Sequence, residues 1–261
     1  MVAQLPSPKT QLAVTWDALP PHYVLPDDPV ENIQQPWLAA ALTDALGAAN
    51  RTQPQMLMGS NFGLVATVNK KLVIKAPDWF YVPQVKPIAE GAIRRSYTPN
   101  LEGEPIAVVM EFLSETEGGE LSIRATPPYG KLYYYEQILK VPTYVTYDPY
   151  ELSVEVRSLQ ENRYQLQAPD SNGRYWIEEL ELFLGIWHGE RLAQTINWLR
   201  WWNGDGNLLL WSSEQTEQER QRAEQEQQRA EQARQRAEQE KNRADLLAAK
   251  LRELGIDPQQ L

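Results

Sequence analysis

Residues 106–115 read IAVVMEFLSE, and one charge inside this apolar run decides how the chain is read. Ile106 to Phe112 is the β-branched and aromatic pattern of a strand covered on both faces, yet Glu111 lies within it. A carboxylate in such a place takes a proton, finds a cation or holds a metal, because an unpaired buried charge is too costly. Alternation along the strand puts Ala107, Val109, Glu111 and Leu113 on one face. A second acid stands nearby in the pattern, since residues 71–82, KLVIKAPDWFYV, read as a neighbouring strand interrupted at Pro77 and followed at once by Asp78. Proline cannot donate to a ladder and marks an edge or irregularity, which suits an Asp side chain splayed into a site. Two carboxylates meeting from adjacent strands are the minimum for holding Mg²⁺ or Mn²⁺, with water completing the shell.

Working outward, the chain gives a mixed order of elements. Residues 1–30 are Pro-rich and aperiodic and read as an extended arm; residues 31–50, ENIQQPWLAAALTDALGAAN, read as a helix, with Trp37, Leu38, Ala41, Leu42 and Ala45 at three- and four-residue spacing. Strand-like stretches follow at 56–68 and 71–82, then a loop-like insertion over 83–104, the strand containing Glu111, and a Gly/Ser/Thr/Pro-rich loop over 114–130. KLYYYEQILK, 131–140, reads as a helix stopped before Pro142. TYVTYDP, LSVEVRSL and RYQLQAP read as strands, and NWLRWWNGDGNLLLW, 197–211, as a hairpin about Asn203-Gly204-Asp205-Gly206. This order predicts a mixed α/β domain with a β-rich extension over residues 1–213. From Glu214 to Leu261 the composition turns to Glu, Gln, Arg and Ala, with Ala223, Ala230, Ala237, Ala244 and Leu251 in heptad register, which predicts a long helix with a weak coiled-coil seam.

Composition narrows the chemistry. The 261 residues hold 35 acidic and 25 basic side chains, and eight of the ten excess acids precede Glu214. A protein that lives by non-specific phosphate contacts has the opposite balance. Cysteine is absent, which excludes thiolate metal sites and cysteine nucleophiles and fits a cytoplasmic setting. No basic start with an apolar core and no run of eighteen apolar residues is present, so neither export nor membrane spanning is expected. His22 and His188 stand far apart without nearby acids, and GSNFG and NGDG lack the Lys-Ser/Thr of a phosphate-cradling loop. WLRWW, 198–202, has the aromatic and basic content of a base-stacking surface, but alternate burial in a second core is the simpler reading. Asp148 before Pro149 reads as a turn residue.

The ordered set APDW at 76–79, EFLS at 111–114, a Lys-led helix with tyrosines, and VPTYVTYDP at 141–149 resembles the Uma-type family, a bacterial group described as restriction endonucleases in the PD-(D/E)XK nuclease superfamily. The likeness spans roughly residues 20–212. It implies a restriction-endonuclease-like core, a central mixed sheet flanked by helices, metal-dependent hydrolysis of phosphodiester bonds in DNA, Asp78 and Glu111 as metal ligands, and a lysine beside the attacking water. In the superfamily pattern that lysine stands two residues after the acid, where this chain has Leu113. Lys131, which shares a helix face with Tyr135 and Ile138, is the first choice for the missing cation, and relocation to a helix is what the family suggests; Lys75 is the alternative. Glu31 at the start of the first helix is an additional candidate ligand. A homodimer, paired through the core and the terminal helix, would suit cutting both strands of a duplex. A plainer reading stays open, in which Asp78 caps a turn, Glu111 and Lys131 form a buried ion pair, and the frame is an inactive binding or scaffold protein that oligomerises through its tail; RNA or single strands are a further substrate class.

Overall fold

A computed structural model describes residues 12–20, 23, 33–114 and 119–253. The chain forms two compact units, Met1–Leu209 and Leu210–Leu261. In the first, the strands are β1 (Val14–Thr15), β2 (Leu57–Gly59), β3 (Leu64–Val68), β4 (Lys71–Lys75), β5 (Trp79–Val82), β6 (Val108–Phe112), β7 (Thr143–Asp148), β8 (Ser153–Gln160), β9 (Arg163–Leu166), β10 (Tyr175–Ile177), β11 (Leu182–Arg191) and β12 (Gln194–Trp202). Helix α1 spans Gln34–Ala48, and α2, Lys131–Tyr133, continues as a π-helical stretch over Tyr134–Leu139.

The central sheet has six strands in the order β2-β5-β6-β7-β8-β9, antiparallel except for the parallel pair β6 and β7. That one parallel pair requires a crossover, and α2 with its π stretch supplies it. The face bearing Phe80, Val109 and Tyr144 packs on Tyr134, Tyr135, Ile138 and Leu139 of this crossover, together with Leu64, Ala66 and Val68 of a separate antiparallel sheet, β1-β3-β4. The opposite face is covered by α1, whose Thr43 hydroxyl accepts the Trp79 indole N–H at 2.9 Å. A third antiparallel sheet, β10-β11-β12, packs on the same helix, with the Trp201 indole donating to the Leu42 carbonyl at 3.1 Å. A mixed α/β domain with helices on a central mixed sheet is thus the observed architecture. The second unit is α3, Ser212–Glu253, with Ala223, Ala230, Ala237 and Ala244 all exposed. Among the described residues no helix is long and apolar enough to cross a membrane.

Four features depart from the sequence reading. KLVIKAPDWFYV is two strands rather than one: β4 belongs to the three-stranded sheet and β5 to the central sheet, because Pro77 breaks the ladder and the chain changes sheets at Ala76-Pro77-Asp78. Residues 56–68 divide between β2 and β3 in the same way. The hairpin expected about Asn203–Gly206 is a tight turn with one bridge, Trp202 to Leu208; the long hairpin is β11–β12. Its loop is Leu192-Ala193, both at positive φ (54° and 57°), so no Gly or Asn announced it. The Trp-rich stretch is buried on both faces rather than alternately, with Trp198, Leu199, Arg200, Trp201 and Trp202 all inside. Arg200 lies 4.8 Å from the Trp187 ring and Arg174 4.2 Å from that of Trp202, so these guanidinium–aromatic contacts serve packing, and no stacking platform is exposed there.

Positive φ costs a non-glycine residue about 1–2 kcal/mol, and Leu192 is exposed. Replacing Leu192-Ala193 with Asn-Gly is therefore expected to raise the urea-unfolding free energy by about 1 kcal/mol. An unchanged or lower value would contradict the loop geometry.

Candidate active site

The register of β5 and β6 pairs Trp79 with Met110, Phe80 with Val109 and Tyr81 with Val108. Continued by one residue, it sets Asp78 opposite Glu111, and directly opposed residues of an antiparallel pair carry their Cβ atoms about 4.5–5.5 Å apart on one face. The ladder stops there, and Asp78 finishes it with its side chain: Oδ2 accepts the Phe112 amide at 2.6 Å. The two carboxyl groups adjoin closely enough for each to influence the other's proton affinity. Gln35, in the first turn of α1, donates to the Phe112 carbonyl at 3.0 Å. Both main-chain groups at the end of β6 are thus held by side chains, which fixes where Glu111 points.

Glu111 is fully buried, at 0% exposure. Its Oε1 accepts the Tyr135 hydroxyl at 2.8 Å and its Oε2 faces Lys131 Nζ at 3.1 Å. Lys131 also lies 3.5 Å from Oε1 of Glu120, itself only 6% exposed. Lys131 and Tyr135 stand one turn apart on the crossover helix, so a four-residue spacing delivers both to one carboxylate. The π-helical stretch that begins at Tyr134 seats Tyr134 and Tyr135 in the core. Glycine is required at position 130, because a Cβ there would collide with the Ser122 backbone. That close approach, with Gly130 N–H donating to the Arg124 carbonyl at 3.0 Å, ties the loop carrying Glu120 to the start of α2.

Electrostatics follow from burial. Desolvation pushes the Glu111 carboxyl from its ordinary 4.5 up to about 8; Lys131 opposes this, Asp78 adds to it, and the Tyr135 hydrogen bond opposes it. Burial raises Asp78 too, against the pull of the Phe112 amide and Lys131. For Lys131 burial favours the neutral amine, but Glu111 and Glu120 outweigh it and hold it as an ammonium. Burial, followed by the charge of Glu111, keeps Tyr135 a phenol that donates. Burial thus favours a proton on Glu111 even with the Lys131 ammonium beside it.

Asp78, Glu111 and Lys131 are thus brought together. Lys75 is not: it ends β4 in the other sheet, opposite Leu64. Glu31 and His22 lie outside the described residues. His188 is exposed on β11 beside Asn197, at 3.2 Å. Asp148 is the turn residue expected, its Oδ1 accepting the amides of Tyr150 and Glu151 at 2.8 and 3.0 Å. Glu120, Tyr135 and Gln35 join the site without having been singled out as parts of it. Tyr135 had a signal in its spacing from Lys131; Glu120, in an aperiodic loop, had none.

The profile of Uma2, described as "Putative restriction endonuclease", matches residues 24–195. The chain belongs to the Uma2 family. A search of curated proteins gives no match. The Uma2 match encloses β5, β6 and the crossover helix, and with them every residue of the cluster just described.

Whether the cluster suits a divalent ion is a question of donors. Among the described residues no three acidic, histidine or cysteine side chains gather into a ready-made metal cage. Mg²⁺ needs none, since it is commonly held by one or two carboxylates with water and phosphate completing an octahedron. Two adjoining carboxyl groups, the inner one pushed toward protonation by burial, fit such an ion. Asp78 is half-buried and Lys131 partly exposed, so the approach lies on their side, while Glu111 closes the back.

Because the folded chain holds the Glu111 proton more tightly than the unfolded chain, this group's contribution to stability is whole below pH 4.5 and is lost as the pH rises to about 8. In metal-free buffer the unfolding midpoint is expected to fall across that window, and Glu111→Gln to flatten the slope. Parallel slopes for the two proteins would show that Glu111 ionises normally.

Proposed function

We propose that the protein is a metal-dependent endonuclease with a PD-(D/E)XK-type core, which hydrolyses phosphodiester bonds in DNA and uses Asp78, Glu111 and Lys131. The observation that carries this reading is the meeting of two carboxyl groups and one ammonium at the point where the chain enters the central sheet at β5. The family match supports the reaction class. Asp78 and Glu111 would hold Mg²⁺ or Mn²⁺. When bound, the ion supplies charge stabilisation at the phosphate and a more acidic water.

The chain's own residues do the rest. Glu111, pushed toward protonation by burial, would be favoured in its charged form by a cation held there, as it already is in part by Lys131. Tyr135 keeps the carboxylate oriented through Oε1. Asp78 is fixed by the Phe112 amide through Oδ2 alone, so Oδ1 is not used in that bond. Lys131 stays charged and, being partly exposed, can donate to a phosphate oxygen or to the attacking water. This lysine occupies the chemical role that Leu113 vacates on the strand. The deep acidity of the first unit is compatible with such a site because the ion and Lys131 offset it locally.

The same proposal extends to assembly. Helix α3, 42 residues long with an exposed heptad register of alanines, is suited to pairing with a second copy as a coiled coil, and a homodimer would bring two sites to the two strands of a duplex.

Supercoiled plasmid incubated with the full chain and Mg²⁺ or Mn²⁺ is expected to be nicked and linearised. Asp78→Asn and Glu111→Gln should each lower the rate by about a thousandfold, and Lys131→Met by about a hundredfold. Absence of cleavage with both metals, or cleavage undiminished in the two acid variants, would overturn the assignment.

A further inference from the structure

Glu120 is the least satisfied polar group of the cluster. It is 6% exposed, its Oε2 has no hydrogen-bond partner, and its Oε1 meets Lys131 at 3.5 Å, beyond a good hydrogen bond. Such a buried acceptor demands an explanation in function or in a missing partner. It is not a loosely held side chain. The Tyr144 hydroxyl, from β7, donates to its main-chain carbonyl at 2.8 Å, and the neighbouring Ser122 and Arg124 carbonyls accept from Tyr133 and Gly130 at 3.3 and 3.0 Å. The carboxylate is thus built into place beside Lys131, with accepting capacity left over.

Lys131 divides itself unequally between two buried acids, at 3.1 Å from Glu111 and 3.5 Å from Glu120. A cation arriving at Glu111 competes with the ammonium for Oε2, and a lysine with no second acceptor would either block the cation or leave the site. Glu120 removes that choice, because a shift of a few tenths of an ångström turns its long contact into a full charge-assisted hydrogen bond. We propose that Glu120 is a positioning residue of the cleavage site, which takes over Lys131 when Glu111 yields to a divalent cation. The inference rests on the metal-dependent reading above and adds a group that neither touches the ion nor the scissile phosphate.

The test is a double-mutant cycle read by Mn²⁺ affinity, using calorimetry on the full chain without DNA. Glu120→Gln is expected to weaken Mn²⁺ binding about tenfold, as loss of an outer partner of a metal site commonly does. In the Lys131→Gln background the same substitution should cost at most about threefold, because the competitor it restrains is gone. Tyr144→Phe, which loosens Glu120 through its carbonyl and keeps its charge, should weaken binding in the same direction, and it stands in for Glu120→Gln should that variant fail to fold. Equal losses in both backgrounds would make Glu120 a direct ligand and overturn the proposal, and so would unchanged affinity in Glu120→Gln. If the unsubstituted chain binds no Mn²⁺, the cleavage reading falls and this inference with it; if it binds and only the cycle is flat, this inference falls alone.

Discussion

The carboxylate of Glu111 is the constraint around which the rest of the first unit is arranged. Burial disfavours its charged form; Lys131 and Tyr135 from the crossover helix oppose that, while Asp78, set opposite by the register of β5, adds to it. That opposition is incomplete. Burial still drives Glu111 up to about 8, so the fold maintains a place where a positive charge would be welcome. A structure evolved for stability alone would gain by replacing such a cluster with apolar side chains.

The helix position of Lys131 has a physical consequence that a strand position would not. A lysine on β6 would share the sheet's rigidity; Lys131 instead stands at the first turn of a helix that passes into a π stretch, on a side chain partly open to solvent. Its ammonium is positioned by two acids rather than by the backbone. Tyr135 belongs to the same buried cluster as Tyr134, Ile138 and Leu139, so one segment both packs the core and delivers a hydroxyl to Glu111.

Much of the site could be read in the sequence because its residues violate local patterns. Glu111 is a charge in an apolar run, Asp78 follows a proline in what reads as a strand, and Lys131 heads an amphipathic helix; the first two needed only periodicity, and the third also drew on the family resemblance. What could not be read was whatever depends on tertiary return of the chain. Glu120 sits in a loop without period, and only the close approach of Ser122 to Gly130 brings it back to the site. Gln35 looked like an ordinary first-turn residue until α1 met the end of β6. The fold was legible at the level of mixed α/β order, but the change of sheet at Pro77 and the β11–β12 hairpin were not, because a proline marks a break without saying where the chain goes next and Leu192-Ala193 adopts a turn that its residue types disfavour.

The claim that Asp78 and Glu111 share a divalent cation is met most directly by diffraction from crystals soaked in Mn²⁺, with data collected at the manganese edge. The account predicts one anomalous peak between the two carboxyl groups, within bonding distance of an oxygen of each. A map with no peak there and Lys131 still seated on Glu111, or with manganese bound elsewhere, would contradict it.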